Sequence, residues 1–399
     1  MKQKKRAIGI AVVAVLAVVA LGFAAFFLVP WGGKDAPNLS QLEEAFSAQR
    51  SQLLKPGQTM QLEIPKSLRD QTLTFASGNE QVATVDQAGL VTAKGAGMTF
   101  ITVSLGEDQA LCGIYVPGEG TLIDVTKLTA KEVFSDLLLH SVTEITGMAV
   151  DSGTDTVYLA QPYGTSSFIP LNADTIVSRV EKKDGSWSLG SRMRFTGSGK
   201  GYISLAQGGD QTRLWVENGG DYIGYGKGLA LVDWVDGGYC EEDFGTGYEM
   251  QGISGGLSFT VDAASGTVVV YDRAEKCYRV YNGADMLSGD QAPQWVYTFS
   301  VKANQTPANG IDDSKGRYNA SVRGYGFHDG YLYQFSGSTS IYLSVFDMEG
   351  KLQYCTRLGS REGAGYYAPA AIAFSEGKLY VAIASGNSEY NLANVLVFE

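Results

Sequence analysis

The chain opens with an uncharged apolar run from Ala7 to Val29, behind Lys2, Lys4, Lys5 and Arg6. The run has no polar face, so the pattern predicts a membrane helix and not a buried core helix. At about 1.5 Å per residue it is long enough to cross a hydrocarbon layer of roughly 30 Å. Beyond it stand only Lys34 and the adjacent Asp35. That asymmetry predicts residues 1–30 as a cytoplasmic tip and transmembrane signal-anchor, N-terminus inside, with residues 31–399 extracellular. Small residues around Ala24 offer a cleavage point as the alternative to retention. Next, Leu39, Leu42, Phe46, Leu53 and Leu54 fall near helical spacing, and Ser40 with Glu43 makes a capping-box start. A spacer helix is expected within 31–54, ended by Lys55-Pro56-Gly57.

From residue 59 to 116 the apolar period falls to two. Bursts at Met60/Leu62/Ile64, Leu73/Phe75, Val82/Val85, Leu90-Val91, Phe100/Ile101/Val103 and 111–116 predict a small sandwich with one face of each sheet buried. A connector, residues 118–144, follows. Thr129 and Glu132 have capping-box spacing ahead of Val133, Phe134 and Leu137, which predicts a short helix over 130–140 with His140 in its last turn. Residues 121–125 read as a strand that belongs to neither neighbour.

Residues 145–399 repeat a unit of apolar strand, tight turn, and apolar or aromatic strand. The paired strands are 148–151 with 156–159, 203–205 with 213–216, 259–262 with 268–271, 325–327 with 331–333, and 372–374 with 378–381. Third strands follow at 177–180, 229–234, 278–281, 342–346 and 395–398; fourth strands follow at 187–195, 239–244, 295–301 and 352–358. Four-stranded units recurring at about 45–60 residues predict a five-bladed β-propeller. The fifth unit ends at Glu399 one strand short. Residues 121–125 are therefore expected to pair with 395–398 and close the ring. The whole is an all-β chain: membrane helix, small β-sandwich (55–117), connector, and propeller (145–399).

In such a ring the 1→2 turns share one face, and here they are short. The opposite face receives longer aromatic-rich segments. Their Tyr222, Tyr225, Tyr248, Tyr318 and Tyr366, with Arg323 opening the inner strand of the fourth unit, are the predicted ligand-binding residues. Rigid amphipathic rings converging on the axis would give contact area at little entropic cost.

Composition narrows the chemistry. Gly is 50 of 399 and Tyr 22, which suits tight turns between short strands. The net charge is −11 although four cations sit in the first six residues, so the body is acidic and no nucleic-acid partner is expected. Two histidines and four cysteines without metal spacing predict no metal and no cofactor. Of Cys112, Cys240, Cys277 and Cys355, only the Cys240–Cys277 pair, on neighbouring units, is geometrically thinkable as a disulfide, and four thiols are favoured. The stretch 197–201 fails as a phosphate loop, with Arg194 at the first Gly position and Gly201 replacing the Ser/Thr. Asp151, Asp262 and Asp329 recur at equivalent turns and read as backbone caps. His328 falls on the short-turn face, away from the predicted site. No catalytic residue is assigned, although Glu249, Glu362 and Asp221 keep a carboxylate-based glycosidase as the alternative.

Two resemblances add to this. Residues 77–86, continued by Gly89-Leu90-Val91-Thr92-Ala93 and 95–103, closely resemble bacterial Ig-like domains of group 2, which implies a surface stalk or adhesion module. The stretches 321–327, 329–333, 341–347 and 377–382 resemble the helveticin-like family, which includes proteins labelled teichoic-acid biosynthesis protein C. That family implies bacteriocin-like or envelope-directed surface proteins without an established reaction. Gly199-Lys200-Gly201 and Ala368-Pro369-Ala370-Ala371 depart from its pattern. Together the expectation is a single-pass cell-surface protein, held in the membrane through residues 7–29. Its non-catalytic propeller would bind an envelope glycan or a surface protein; a glycan-cleaving enzyme or a bacteriocin-like effector are the alternatives.

Overall fold

The first element forms as its capping box predicts. Ser40 Oγ accepts from the Glu43 N–H (3.1 Å) and the Glu43 carboxylate accepts from the Ser40 N–H (2.9 Å), starting helix α1 (Gln41–Phe46). The computed structural model describes residues 40–138, 145–163, 174–195, 203–206, 212–218, 228–240, 246–249, 258–272, 274–284, 294–302, 305–306, 322–336, 340–360, 366–387 and 390–399. The apolar run 7–29 and His140 lie outside them, and among the described residues no helix is long and apolar enough to cross a membrane. Helix α1 is not the spacer expected to reach residue 54. It passes through a 3-10 turn (Ser47–Gln49) into strand β1 (Ser51–Leu53), because Leu42 and Phe46 bury themselves in the Ig-like core.

That core lies between two sheets made of β1, β2 (Thr59–Gln61), β3 (Thr74–Ser77), β4 (Ala83–Val85), β5 (Leu90–Ala93), β6 (Gly97–Leu105) and β7 (Asp108–Val116). One sheet has the order β1-β7-β6-β3, with β1 parallel to β7, and the other β2-β5-β4. Along β6, Thr99, Ile101 and Val103 are buried and their neighbours are not, the alternation of a strand with one wet face.

After β8 (Ala130–Leu138), the described residues form five further sheets. The first contains β9 (Gly147–Asp151), β10 (Thr156–Tyr163), β11 (Asp174–Lys183) and β12 (Ser186–Phe195). The second contains β13 (Ile203–Ala206), β14 (Arg213–Asn218) and β15 (Gly228–Asp233). The next segment, β16 (Tyr239–Cys240), leaves it to run parallel to β12, and β17 (Thr246–Glu249) supplies the fourth strand expected at 239–244. The third contains β18 (Ser258–Asp262), β19 (Thr267–Asp272), β20 (Cys277–Asn282) and β21 (Tyr297–Phe299). The fourth contains β22 (Val322–His328), β23 (Tyr331–Ser336), β24 (Ser340–Phe346) and β25 (Leu352–Ser360), and the fifth β26 (Tyr366–Ser375), β27 (Lys378–Asn387) and β28 (Tyr390–Phe398). The first strands neighbour one another in a closed circuit, β9–β13–β18–β22–β26 and back to β9, so the arrangement is propeller-like. Hydroxyls stitch it: Ser204 Oγ accepts from the Val261 N–H (3.2 Å), Thr260 Oγ1 accepts from the Phe327 N–H (3.2 Å), and Tyr325 OH accepts from the Tyr271 N–H (2.9 Å).

The fifth sheet is completed by β8, antiparallel to β28, with Lys131 opposite Val397 and Phe134 opposite Val395. Two expectations are thereby corrected: residues 130–138, the described part of the expected helix 130–140, form a strand, and 121–125 is not the closing strand. The apparent capping box is overridden because Thr129 exchanges both backbone hydrogen bonds with Glu399 (3.0 and 3.3 Å), while Glu132 bonds Ser135. Phe134 then packs on Trp187 of the first sheet, ring centroids 5.4 Å apart. Residues 121–125 run instead as a strap over the fourth and fifth sheets. Leu122, Ile123 and Val125 pack there with Tyr333, Leu343 and Leu379, and the Ile123 N–H donates to Tyr333 OH (3.2 Å).

The Ig-like part rests on β21. Tyr115 stacks on Tyr297 at 5.8 Å, Ser51 Oγ accepts from the Thr298 N–H (2.9 Å), and Arg50 lies over Trp295 at 4.3 Å. Gly113 permits the approach, since a Cβ there would collide with the Val296 carbonyl. Cys112, Cys277 and Cys355 are free thiols.

Candidate functional site

The turns that end the first strands ring a central cavity of about 560 Å³ on the short-turn face. All five sheets contribute: Asp151 from the first, Ala206 from the second, Asp262 from the third, His328 from the fourth, Phe374 and Glu376 from the fifth. Pockets with a few convergent polar groups are the usual form of a small-molecule or glycan site.

Local sequence explains each turn. Asp329-Gly330 (φ +50°, +82°) and Glu376-Gly377 (φ +48°, +70°) are two-residue hairpin turns with both residues left-handed, the geometry for which Gly in second place is favoured. Asp151 accepts from the Gly153 N–H (3.1 Å) and from Thr154 Oγ1 (2.8 Å). Asp262 accepts from Ser265 Oγ (2.6 Å) and the Ala264 N–H (3.4 Å), and its other neighbour is His328 Nδ1 at 3.4 Å. Both aspartates therefore cap their turns, as the sequence implies. The His328 ring stacks on Phe374 at 4.7 Å and 12°, and Ser152 Oγ lies 2.7 Å from Ser375 Oγ, so the wall is tied from sheet to sheet.

Asp262 is 4% exposed. Burial, the largest single influence, pushes its carboxyl upward; the hydrogen bonds from His328, Ser265 and Ala264, with the histidine's charge, together outweigh it and hold the group below its ordinary value. Three carboxylates, Asp151, Asp262 and Glu376, face one imidazole, so the cavity suits hydroxyl-rich or cationic ligands and repels anions. Ser265 donates to Asp262 itself and not to His328, which is a turn cap and not a Ser–His–Asp relay. Among the described residues no cluster of three or more His, Cys, Asp or Glu is placed to hold a metal ion.

Of the six residues expected to bind ligand, three have a described backbone position and three do not. Tyr222, Tyr225 and Tyr318 lie outside the described residues. Tyr248, Arg323 and Tyr366 are placed by backbone only: Tyr248 on β17 opposite Leu229, Arg323 at a register shift of β22, Tyr366 on β26 opposite Gly386. Tyr248 and Tyr366 thus belong to strands, not to the loops expected. Asp221 and Glu362 also fall outside the described residues, and Glu249 ends β17. The short-turn face carried its signal in the recurrence of Asp151 and Asp262. Asp329, also expected as a turn cap, is not among the described lining of this cavity, and its carboxylate accepts from the distant Thr121 N–H.

Residues 48–112 match the family model of the bacterial Ig-like domain (group 2), and that part of the chain is such a domain. No curated protein matches the chain. Among solved structures it is similar to the tail fiber of Staphylococcus aureus phage P68 (TM-score 0.53, 14% identity), over 69% of this chain and 54% of that one. The chain thus spans about half the length of that fiber, and the likeness is one of fold. A fainter likeness is to the GH43_1 enzyme from Xanthomonas citri complexed with xylotriose (TM-score 0.38, 11% identity, 68% of this chain and 90% of that one).

Proposed function

We propose that the chain is a bacterial cell-surface protein, anchored by residues 7–29 with its N-terminus inside, whose five-bladed propeller binds an envelope glycan without cleaving it. The observation that carries this reading is the convergence of all five sheets on one cavity with several polar side chains in its lining. Asp151 and Asp262 are engaged in their own turns, which favours recognition over general acid–base work by that pair. An Ig-like domain of group 2 between anchor and head agrees with a surface role, and the helveticin-like stretches fall largely on β22, β23, β24 and β27.

The test is binding of the full chain, in detergent micelles, to solubilised cell-wall glycan fragments. Ala264 is exposed and lines the cavity. Ala264→Trp should weaken binding by about tenfold or more with an unchanged melting temperature. Absence of binding to any wall glycan contradicts the reading.

A further inference from the structure

We propose that the central cavity continues into a cleft between the Ig-like domain and the ring, forming one groove for an extended glycan strand without net negative charge. This rests on the binding function proposed above and names its ligand class.

The second cavity, about 370 Å³, has Asn79, Gly97 and Tyr115 on the Ig-like side and Asp262, Asn282 and Asp329 on the third and fourth sheets. Asp262 lines both cavities, so they lie side by side across that residue. The lining polar groups are amides, hydroxyls and carboxylates, the set that pairs with sugar hydroxyls from several directions. A phosphate-bearing polymer would meet Asp151, Asp262, Asp329 and Glu376 in succession, on a chain of net charge −11. The acidic field reaches the Ig-like wall: burial chiefly, then the charge of Asp262, Tyr297 and Asp329, hold the Tyr115 phenol far above its ordinary value.

The cleft has fixed walls. Tyr115 on Tyr297, Ser51 on Thr298, and the close approach at Gly113 join the two parts on one side. On the other, the Thr121 N–H donates to the Asp329 carboxylate and Gly120 lies too close to the Asp329 carbonyl for any side chain. A preformed groove loses little ordering entropy when a strand enters.

The probes are N-acetylglucosamine and glucosamine tetramers, the matching dimers, and poly(glycerol phosphate), each titrated into the full chain in micelles. Ala96 is exposed and lines only the cleft, so Ala96→Trp blocks it without touching the cavity. The groove predicts tetramers binding about tenfold tighter than dimers, and Ala96→Trp removing that advantage while dimer affinity stays constant. A tetramer affinity lost in Ala264→Trp but untouched by Ala96→Trp overturns the groove and leaves the cavity reading standing. Binding of poly(glycerol phosphate) as tight as that of the tetramers overturns the ligand class. Failure to bind these sugars and wall fragments alike overturns both.

Discussion

The Ig-like domain and the ring are both built from short antiparallel strands, yet they hold together differently. The Ig-like core is contiguous in sequence, from Leu42 to Val116, with helix and both sheets meeting in one cluster. The ring has several cores, each between neighbouring sheets, and one of them is completed by Phe134 of β8, which returns to β28 from more than two hundred and fifty residues away. Stability is therefore local in the first region and depends on a single long-range closure in the second. The strap between them makes the closure also the attachment, since residues 121–125 lead from the Ig-like domain into β8.

The largest expected effect strikes the closure. Phe134 is buried between Trp187 and the fifth sheet, so Phe134→Ala should destabilise the ring by about 3–5 kcal/mol. Hydrogen exchange should then quicken across β26–β28 and leave β6 and β7 protected; equal loss in both regions would break the distinction. A smaller effect is expected at the junction. Gly113→Ala drives a methyl into the Val296 carbonyl, at a cost of about 1–3 kcal/mol. Its signature is separation of the Ig-like and ring melting transitions in calorimetry, and a single unsplit transition would count against the docking.

Much of this organisation is legible in the sequence. All five pairs of first and second strands stand where the repeating pattern puts them, because each is a run of apolar residues ended by a turn residue such as Asp151 or Asp329. The closing strand was not legible. Thr129 and Glu132 carry a helix-start signal, and only the free edge of β28, distant in sequence, selects the extended form. The candidate site was missed for a related reason: aromatic-rich segments drew attention to one face, while small turn residues build the cavity on the other. Asp151 and Asp262 look like caps because they are caps, and only the ring brings them together with Glu376.

Smaller still is the effect at α1. Ser40→Ala removes one half of the capping box and should cost about 1 kcal/mol, read in the Ig-like transition alone. The subtlest test is alkaline. Burial, then the charges of Glu349 and Asp347, push the Tyr297 phenol up to about 12. A raised folded value contributes stability that is fully present below the ordinary phenol range near 10 and lost as pH rises through about 12. Wild type should therefore lose thermal stability between pH 10 and 12 more steeply than Tyr297→Phe, and parallel curves would deny that the phenol is buried at the junction.

The central claim is that the ring is closed by the segment leaving the Ig-like domain, in the register that sets Lys131 opposite Val397. Paired cysteines test it directly. In the full chain, Lys131→Cys with Val397→Cys should form an intramolecular disulfide on mild oxidation, found by peptide mass mapping, and should raise the melting temperature. Thr121→Cys with Val397→Cys should stay reduced. A disulfide in the second pair and none in the first would contradict the closure described here.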